Sequence, residues 1–507
     1  MNRISVAVVA VLLIGDTSTA RAQHPESQRL GTVHFATSCS PGVARQFDRA
    51  VALLHSFEFG ESIQAFNDVL ATDSTCAMAY WGIALSRWTN PMVPSGRPVA
   101  LLQSGLEAVR AARELSPRAS ERERGYIGAI SELYDDYEHR DQRTRVLGYE
   151  RAMSDLVRRE PADTEAVIFH ALSLVGSASP ADKTYANQLK AGAILEALWA
   201  KMPNHPGLAH YIIHSYDYPP LAHRARAAAL RYASIAPDAA HALHMPSHTF
   251  TRLGMWKESV RANARSRAVA LRAGSIAEAL HASDYAMYAD LQMGRESDAR
   301  AILDALPSVA SHFDPAAVTG AAPGSAGVFA LAAIPARWTL ERRAWAEAAA
   351  LEPSASAFPY AEAMTYFARA LGASHTKDFE KAQRSIDSLD AIRQRLRASG
   401  EGYWAEQVSI QHLAASAWLD VAQGRTQEAL ASMREAATRE DATEKSAVSP
   451  GPLAPSRELL GDMLIALHRP AEARAEYRAT LVKEPNRRHS RRALIRAAET
   501  PNPRSGR

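Results

Sequence analysis

The chain has 507 residues, 47% of them hydrophobic and 22% charged, with 58 Lys and Arg against 55 Asp and Glu and a formal net charge of +3. This is ample apolar content to bury a core, and more length than one compact globule uses. So slight a basic excess, with no stretch interleaving basic and aromatic residues, gives no reason to expect a nucleic-acid partner. The apolar residues are mostly Ala and Leu, aromatics are 7% and β-branched runs are few, so the expectation is an all-α protein.

In chain order, Met1-Asn2-Arg3 is a short positive start, residues 4–14 form an apolar run, and Ala20-Arg21-Ala22 is an A-x-A cleavage site. Residues 1–22 therefore read as a cleaved signal peptide, and the mature protein is expected in the periplasm or secreted. The run is shorter than the roughly 20 apolar residues a bilayer span needs. No later stretch reaches that length, so no stable membrane insertion is expected. The chain has two cysteines, Cys39 and Cys76. In an oxidising compartment they read as a disulfide, the alternative being two unpaired buried thiols.

Helical-repeat signals follow. Phe59, Ser62 and Phe66 precede Tyr80, Ile83 and Ala84 of the next helix. Ala191, Leu195 and Pro203 close a repeat. Gly294, Ala299 and Leu303 form a further copy, as do Ala417, Gly424, Ala429 and Met433. The best copy is Leu460, Gly461, Ala473, Tyr477 and Pro485. There, Gly461 and Ala473 let two helices approach, Tyr477 fills the space between repeats, and Pro485 stops the helix. Pro203 and Pro237 stand 34 residues apart, the helix–turn–helix period of tetratricopeptide arrays. The fold expected is a tetratricopeptide-type α-solenoid, with one array over 36–306 and another over 329–495. Residues 307–328, rich in Ala, Gly and Pro, read as a linker. Residues 439–455 read as an extended loop and 496–507 as a disordered basic tail.

Seven of the 18 histidines lie between His205 and His248. His210 and His214 are four apart, as are His244 and His248, and the second pair follows the first by the same 34 residues. On stacked repeats this places four imidazoles in a two-by-two grid on inner helices about 8–10 Å apart, able to converge on one transition-metal ion. Counting repeats adds His241, His281 and Asp284, with Tyr288 in the place of His248. Imidazole with a carboxylate suits Zn, Cu or Fe. Asp217 reads as the partner that orients a ring. A competing reading is a metal-free groove that grips a protein or peptide, with Tyr211, Arg224, Arg252 and the histidines as donors. A third is a metal-dependent enzyme using Asp217 or Asp284 as base. Pro246, between His244 and His248, either kinks the helix or starts it late. His205 and His223 read as peripheral, and His170 as packing. There is no Gly-rich phosphate loop, G-x-S-x-G, H-E-x-x-H or c-type haem motif.

Three segments carry a resemblance: Cys76-Ala77-Met78-Ala79-Tyr80-Trp81-Gly82, His244-Met245-Pro246-Ser247-His248, and Glu440-Asp441-Ala442-Thr443-Glu444-Lys445 with Pro450-Gly451-Pro452-Leu453. Through them the mature chain resembles a group of bacterial secreted tetratricopeptide-repeat proteins whose activity is not settled. The resemblance implies fold and export, and no particular chemistry.

Overall fold

The computed structural model describes residues 28–93 and 96–499, and most of them are helical. The expected signal peptide, and residues 500–507 of the expected tail, lie outside the described residues. Among the described residues there is no strand, and no helix is long and apolar enough to cross a membrane. Successive helices are joined by short turns and pack as hairpins. The first helix of a hairpin also touches that of the next, as Thr164–Gly176 touches Pro206–Ser215. This is the tetratricopeptide-type α-solenoid that the 34-residue period implies.

Small residues set the spacing. A Cβ on Gly82 would lie 2.2 Å from the Phe66 ring, and one on Gly461 would lie 2.6 Å from the Tyr477 ring. Each glycine thus admits the aromatic of the partner helix. Some helix starts are fixed by side-chain caps. Ser120 and Glu123 form a capping box, and Asp163 accepts from the amides of Glu165 and Ala166. Cys39 and Cys76 form a disulfide that ties the segment before the first helix to the start of Ala77–Trp88.

The expected linker over 307–328 is corrected. Helix Glu296–Ala310 runs through Pro307, helix Gly324–Glu341 begins early, and residues 311–323 alone lack helix. The small residues there serve close packing. Gly324 lies against the Pro315 carbonyl, Gly327 against the Phe313 ring, and the Gly60 amide donates to the Thr319 carbonyl at 2.8 Å. The segment is stitched onto the first hairpin. The larger part of the apolar core falls into two bodies, one spanning residues 30–262 with Ala321 and one spanning 277–493. The division lies near residue 270, one hairpin earlier than the sequence implies.

Two further boundaries shift. Helix Thr426–Ala442 covers the first residues of the expected loop, which starts at 443, and the last helix runs Arg488–Glu499, past 495. Residues 443–455 fold back onto the inner helices. Tyr285 donates to the Ser449 carbonyl at 3.0 Å, and Arg337 donates to the carbonyls of Gly451 and Pro452 at 2.9 and 3.1 Å. Where the histidines lie, the inner face is covered by the chain itself.

Candidate metal centre

Six imidazoles line the seam between the two core bodies. Pro206–Ser215 carries His210 and His214. Its successor is broken at Met245 into Ala240–His244 and Pro246–Arg252, with Pro246 in a first turn where its missing N–H costs nothing. Ile276–Met293 carries His281. All six are buried, with His214 the most exposed at 6%. The expected grid on one ion is corrected, because each i,i+4 pair meets a histidine of the following helix instead of the other pair. The ring nitrogens of His210, His214 and His241 come within 4.8 Å of one another, and so do those of His244, His248 and His281. The His241 and His244 rings, 5.9 Å apart, join the two triads.

In the first triad, Nδ1–H of His210 donates to the His55 carbonyl at 2.7 Å, and Nδ1–H of His241 donates to Glu278 at 3.2 Å. That leaves Nε2 as the remaining nitrogen of each ring. Nε2 of His210, His214 and His241 are all buried with no hydrogen-bond partner among the described residues. Burial holds the His214 imidazole down to about 3 and His210 well below its ordinary range, so these rings are neutral at pH 7. Two carboxyls stand behind His241. Burial and the charge of Glu278 raise Glu58 to about 8, while Glu278 is lowered by His241 despite its burial. Glu58 also accepts from the His241 amide at 2.9 Å.

In the second triad, Nδ1–H of His244 donates to Asn263 Oδ1 at 2.7 Å. The Asn263 amide is oriented by its own donation to the Ser259 carbonyl, so its oxygen faces the ring. Nδ1–H of His248 donates to Asp217 at 2.9 Å. Both Nε2 atoms are then bare, yet they face each other at 3.0 Å. Burial holds His244 down to about 4 and His248 well below its ordinary range, so neither ring supplies a proton to bridge them. Two nitrogens about 2 Å from one tetrahedral ion stand roughly 3.3 Å apart. His281 completes this triad, its ring 4.5 Å from that of His244, with Nδ1 buried and unpartnered among the described residues.

A third group, His55, Glu165 and His205, is of another kind. Glu165 accepts from Nε2 of His55 at 2.9 Å and of His205 at 3.0 Å, and Tyr211 meets Nδ1 of His55 at 3.0 Å. The carboxylate bridges two rings and needs no ion. It braces His55, whose carbonyl orients His210. His205, read as peripheral, is thus an internal brace.

The remaining sequence candidates are placed as follows. Asp217 orients His248 and pairs with Arg252 at 2.9 Å and Lys445 at 3.2 Å. Asp284 belongs to neither triad. It pairs with fully buried Arg337 at 2.7 Å. Tyr288 is buried and donates to Glu484 at 3.2 Å, away from any open groove, whereas Tyr211 meets His55 and also borders a cavity of 230 Å³. The sequence reading missed His55, Glu165, Glu278 and Asn263, which share no register with the repeat. It also missed the role of Lys445, although the segment holding it is one of the three that carry the resemblance. Burial holds the Lys445 ammonium down to about 8, still charged at neutral pH.

No protein-family model matches the sequence, and no curated protein matches it. Among solved structures, the human IFIT1 dimer with m7Gppp-AAAA is 10% identical, over 83% of this chain and 90% of that one, at a TM-score of 0.38. Yeast Tom70 is 12% identical over 90% and 95%, at 0.35. Naa15/Naa10 bound to HypK-THB is 13% identical over 89% and 73%, at 0.24. Similarity of this degree transfers no chemistry. By its own architecture the chain is a tetratricopeptide-type helical-repeat protein with two histidine triads on its inner helices.

Proposed function

We propose that this is an exported helical-repeat protein that holds two transition-metal ions, one on His210, His214 and His241 and one on His244, His248 and His281. The observation that carries the reading is the direction of the ring protons. Where a donor bond orients a ring, it runs outward to a carbonyl, amide or carboxylate, as it does behind metal-bound imidazoles. The bare nitrogens turn inward toward one another. A cation between His244 and His248 relieves the opposition of two lone pairs at 3.0 Å. An all-imidazole set suits Zn, Cu, Fe or Ni. The disulfide and the reading of residues 1–22 support export.

Metal analysis tests it. The full chain, stripped with chelator and reconstituted with zinc, is expected to hold about two equivalents. His210→Ala with His214→Ala should lose one of them, and His248→Ala with His281→Ala the other. Circular dichroism confirms that each variant is folded. Less than about a tenth of an equivalent in folded wild type would reject the reading.

A further inference from the structure

A cleft leads to the first triad. Its larger part is a cavity of 230 Å³ walled by Leu54, Trp88, Leu133, Tyr149, Phe169 and Leu172. Phe57 forms part of this wall, and its ring lies 4.4 Å from that of His210 and 5.6 Å from that of His214. Phe57 holds a left-handed backbone, φ 56°, at the end of helix Ala44–His55, a position usually given to glycine. The strain is tolerated where it puts an aromatic ring between cavity and triad. Pro91, Gly176, Ala178 and Pro180 are common to this cavity and a second of 190 Å³, which reaches His214, Asp217 and Lys445. Among the three histidines of the first triad, His214 is the one that lines the cleft.

At the polar end the Lys445 ammonium stands among the carboxylates of Asp182, Asp217 and Glu444, of which Asp217 is also held by Arg252 and Glu444 by Lys183. The Lys445 ammonium has three N–H groups, and Asp217 at 3.2 Å and Tyr285 at 3.3 Å take two. Three protein ligands leave an ion with an open position. Three neutral imidazoles also leave its double charge uncancelled, which favours an anion there.

We propose that this cleft binds a small organic acid, an aromatic or branched aliphatic body bearing one carboxylate, with the body against Trp88, Tyr149 and Phe169 and the carboxylate between Lys445 and the ion on the first triad. The contact with the ion rests on the metal reading above. The apolar seat and the Lys445 contact do not. Calorimetry on the full chain, with zinc content measured on the same sample, tests both. Phenylbutyrate is expected to bind zinc-loaded protein at least about tenfold more tightly than phenylbutanol or acetate. Ala178→Trp, which fills the passage shared by the two cavities, should abolish binding while zinc content stays at the wild-type level. Val146→Trp, which fills the apolar part from its other wall, should do the same if Ala178→Trp misfolds. Lys445→Met should cost about tenfold. Equal binding of the acid and the alcohol, or unchanged binding in a folded Ala178→Trp or Val146→Trp variant, overturns the proposal. If the protein takes up no zinc, the metal reading fails by itself. The acid must then still outbind the alcohol through Lys445, and equal or absent binding overturns the cleft as well.

Discussion

A neutral imidazole has one donating and one accepting nitrogen, so whatever captures the proton decides where the lone pair points. The Glu278 carboxylate does this for His241, and Asp217 does it for His248. Replacing such a partner typically costs ten- to a hundredfold in metal affinity. Glu278→Gln is therefore expected to weaken the first centre by about that factor and leave the second unchanged, as read by competition with a chromophoric chelator. Equal weakening of both centres would mean a general loss of structure. A different residue-scale effect belongs to His375, whose ring lies between Trp345, at 3.9 Å, and Trp418, at 4.3 Å. Burial, assisted by the Arg343 charge, holds it down to about 4. The unfolded chain takes up this proton near pH 6.5 and the folded chain only near 4. The contribution is full above pH 6.5 and is lost as pH falls toward 4, at most about 2–3 kcal/mol for a partly exposed ring. Urea midpoints of wild type should fall over that window more steeply than those of His375→Phe. Parallel curves would remove His375 from the account.

At the scale of helices, stability rests on interlocks between glycine and aromatic residues. Gly82→Ala forces a methyl group into the Phe66 ring and is expected to cost about 2–3 kcal/mol. Gly128, in the interior of Glu121–Tyr134, has no neighbour within 4 Å of its would-be Cβ, so Gly128→Ala should gain about 0.5–1 kcal/mol from helix propensity. The opposite signs separate packing from propensity, and urea midpoints on the two variants read them directly. The disulfide closes a 37-residue separation, for which loop entropy predicts a loss of about 4 kcal/mol in Cys39→Ser with Cys76→Ser. Of these, the Gly461–Tyr477 interlock was legible in the sequence because a repeat writes it at a fixed interval, and the disulfide because the chain has two cysteines. Gly461 and Tyr477 declare each other, and the 34-residue register announces paired histidines on successive helices. Their division into triads was not legible. It depends on where Met245 breaks a helix and on how far one inner helix is shifted along the next. Neither Glu278 nor Asn263 has a sequence mark that separates it from an ordinary polar residue. Asp284 was misread because register alone cannot show that Arg337 takes the carboxylate. The Ala/Gly/Pro composition of 307–328 was misread because small residues pack tight helix starts as readily as they make linkers.

Over the whole molecule, the segment 443–455 closes over the site that the inner helices build. Helix Gly324–Glu341 holds residues 443–455 through Arg337, which pairs with Asp284 and donates to two carbonyls of the returning segment. Glu444 adds contacts to Lys183 and Tyr185, each at 3.0 Å, and Trp256 donates to the Asn486 carbonyl at 3.1 Å. Both partners of the Arg337–Asp284 pair are fully buried. Removing one strands a charge and costs about 3–5 kcal/mol, whereas replacing both with apolar groups costs far less. Arg337→Met is thus expected to lower the urea midpoint, to open residues 443–455 to protease, and to release bound metal about tenfold faster. Arg337→Met with Asp284→Leu should regain most of the stability while the segment stays unpinned and protease-sensitive. In both variants the reconstituted protein should still hold about two equivalents of metal, because neither residue belongs to a triad. Loss of an equivalent in the double variant would return Asp284 to the ligand set. Wild-type protease resistance in folded Arg337→Met would show that the closure is held elsewhere along the segment.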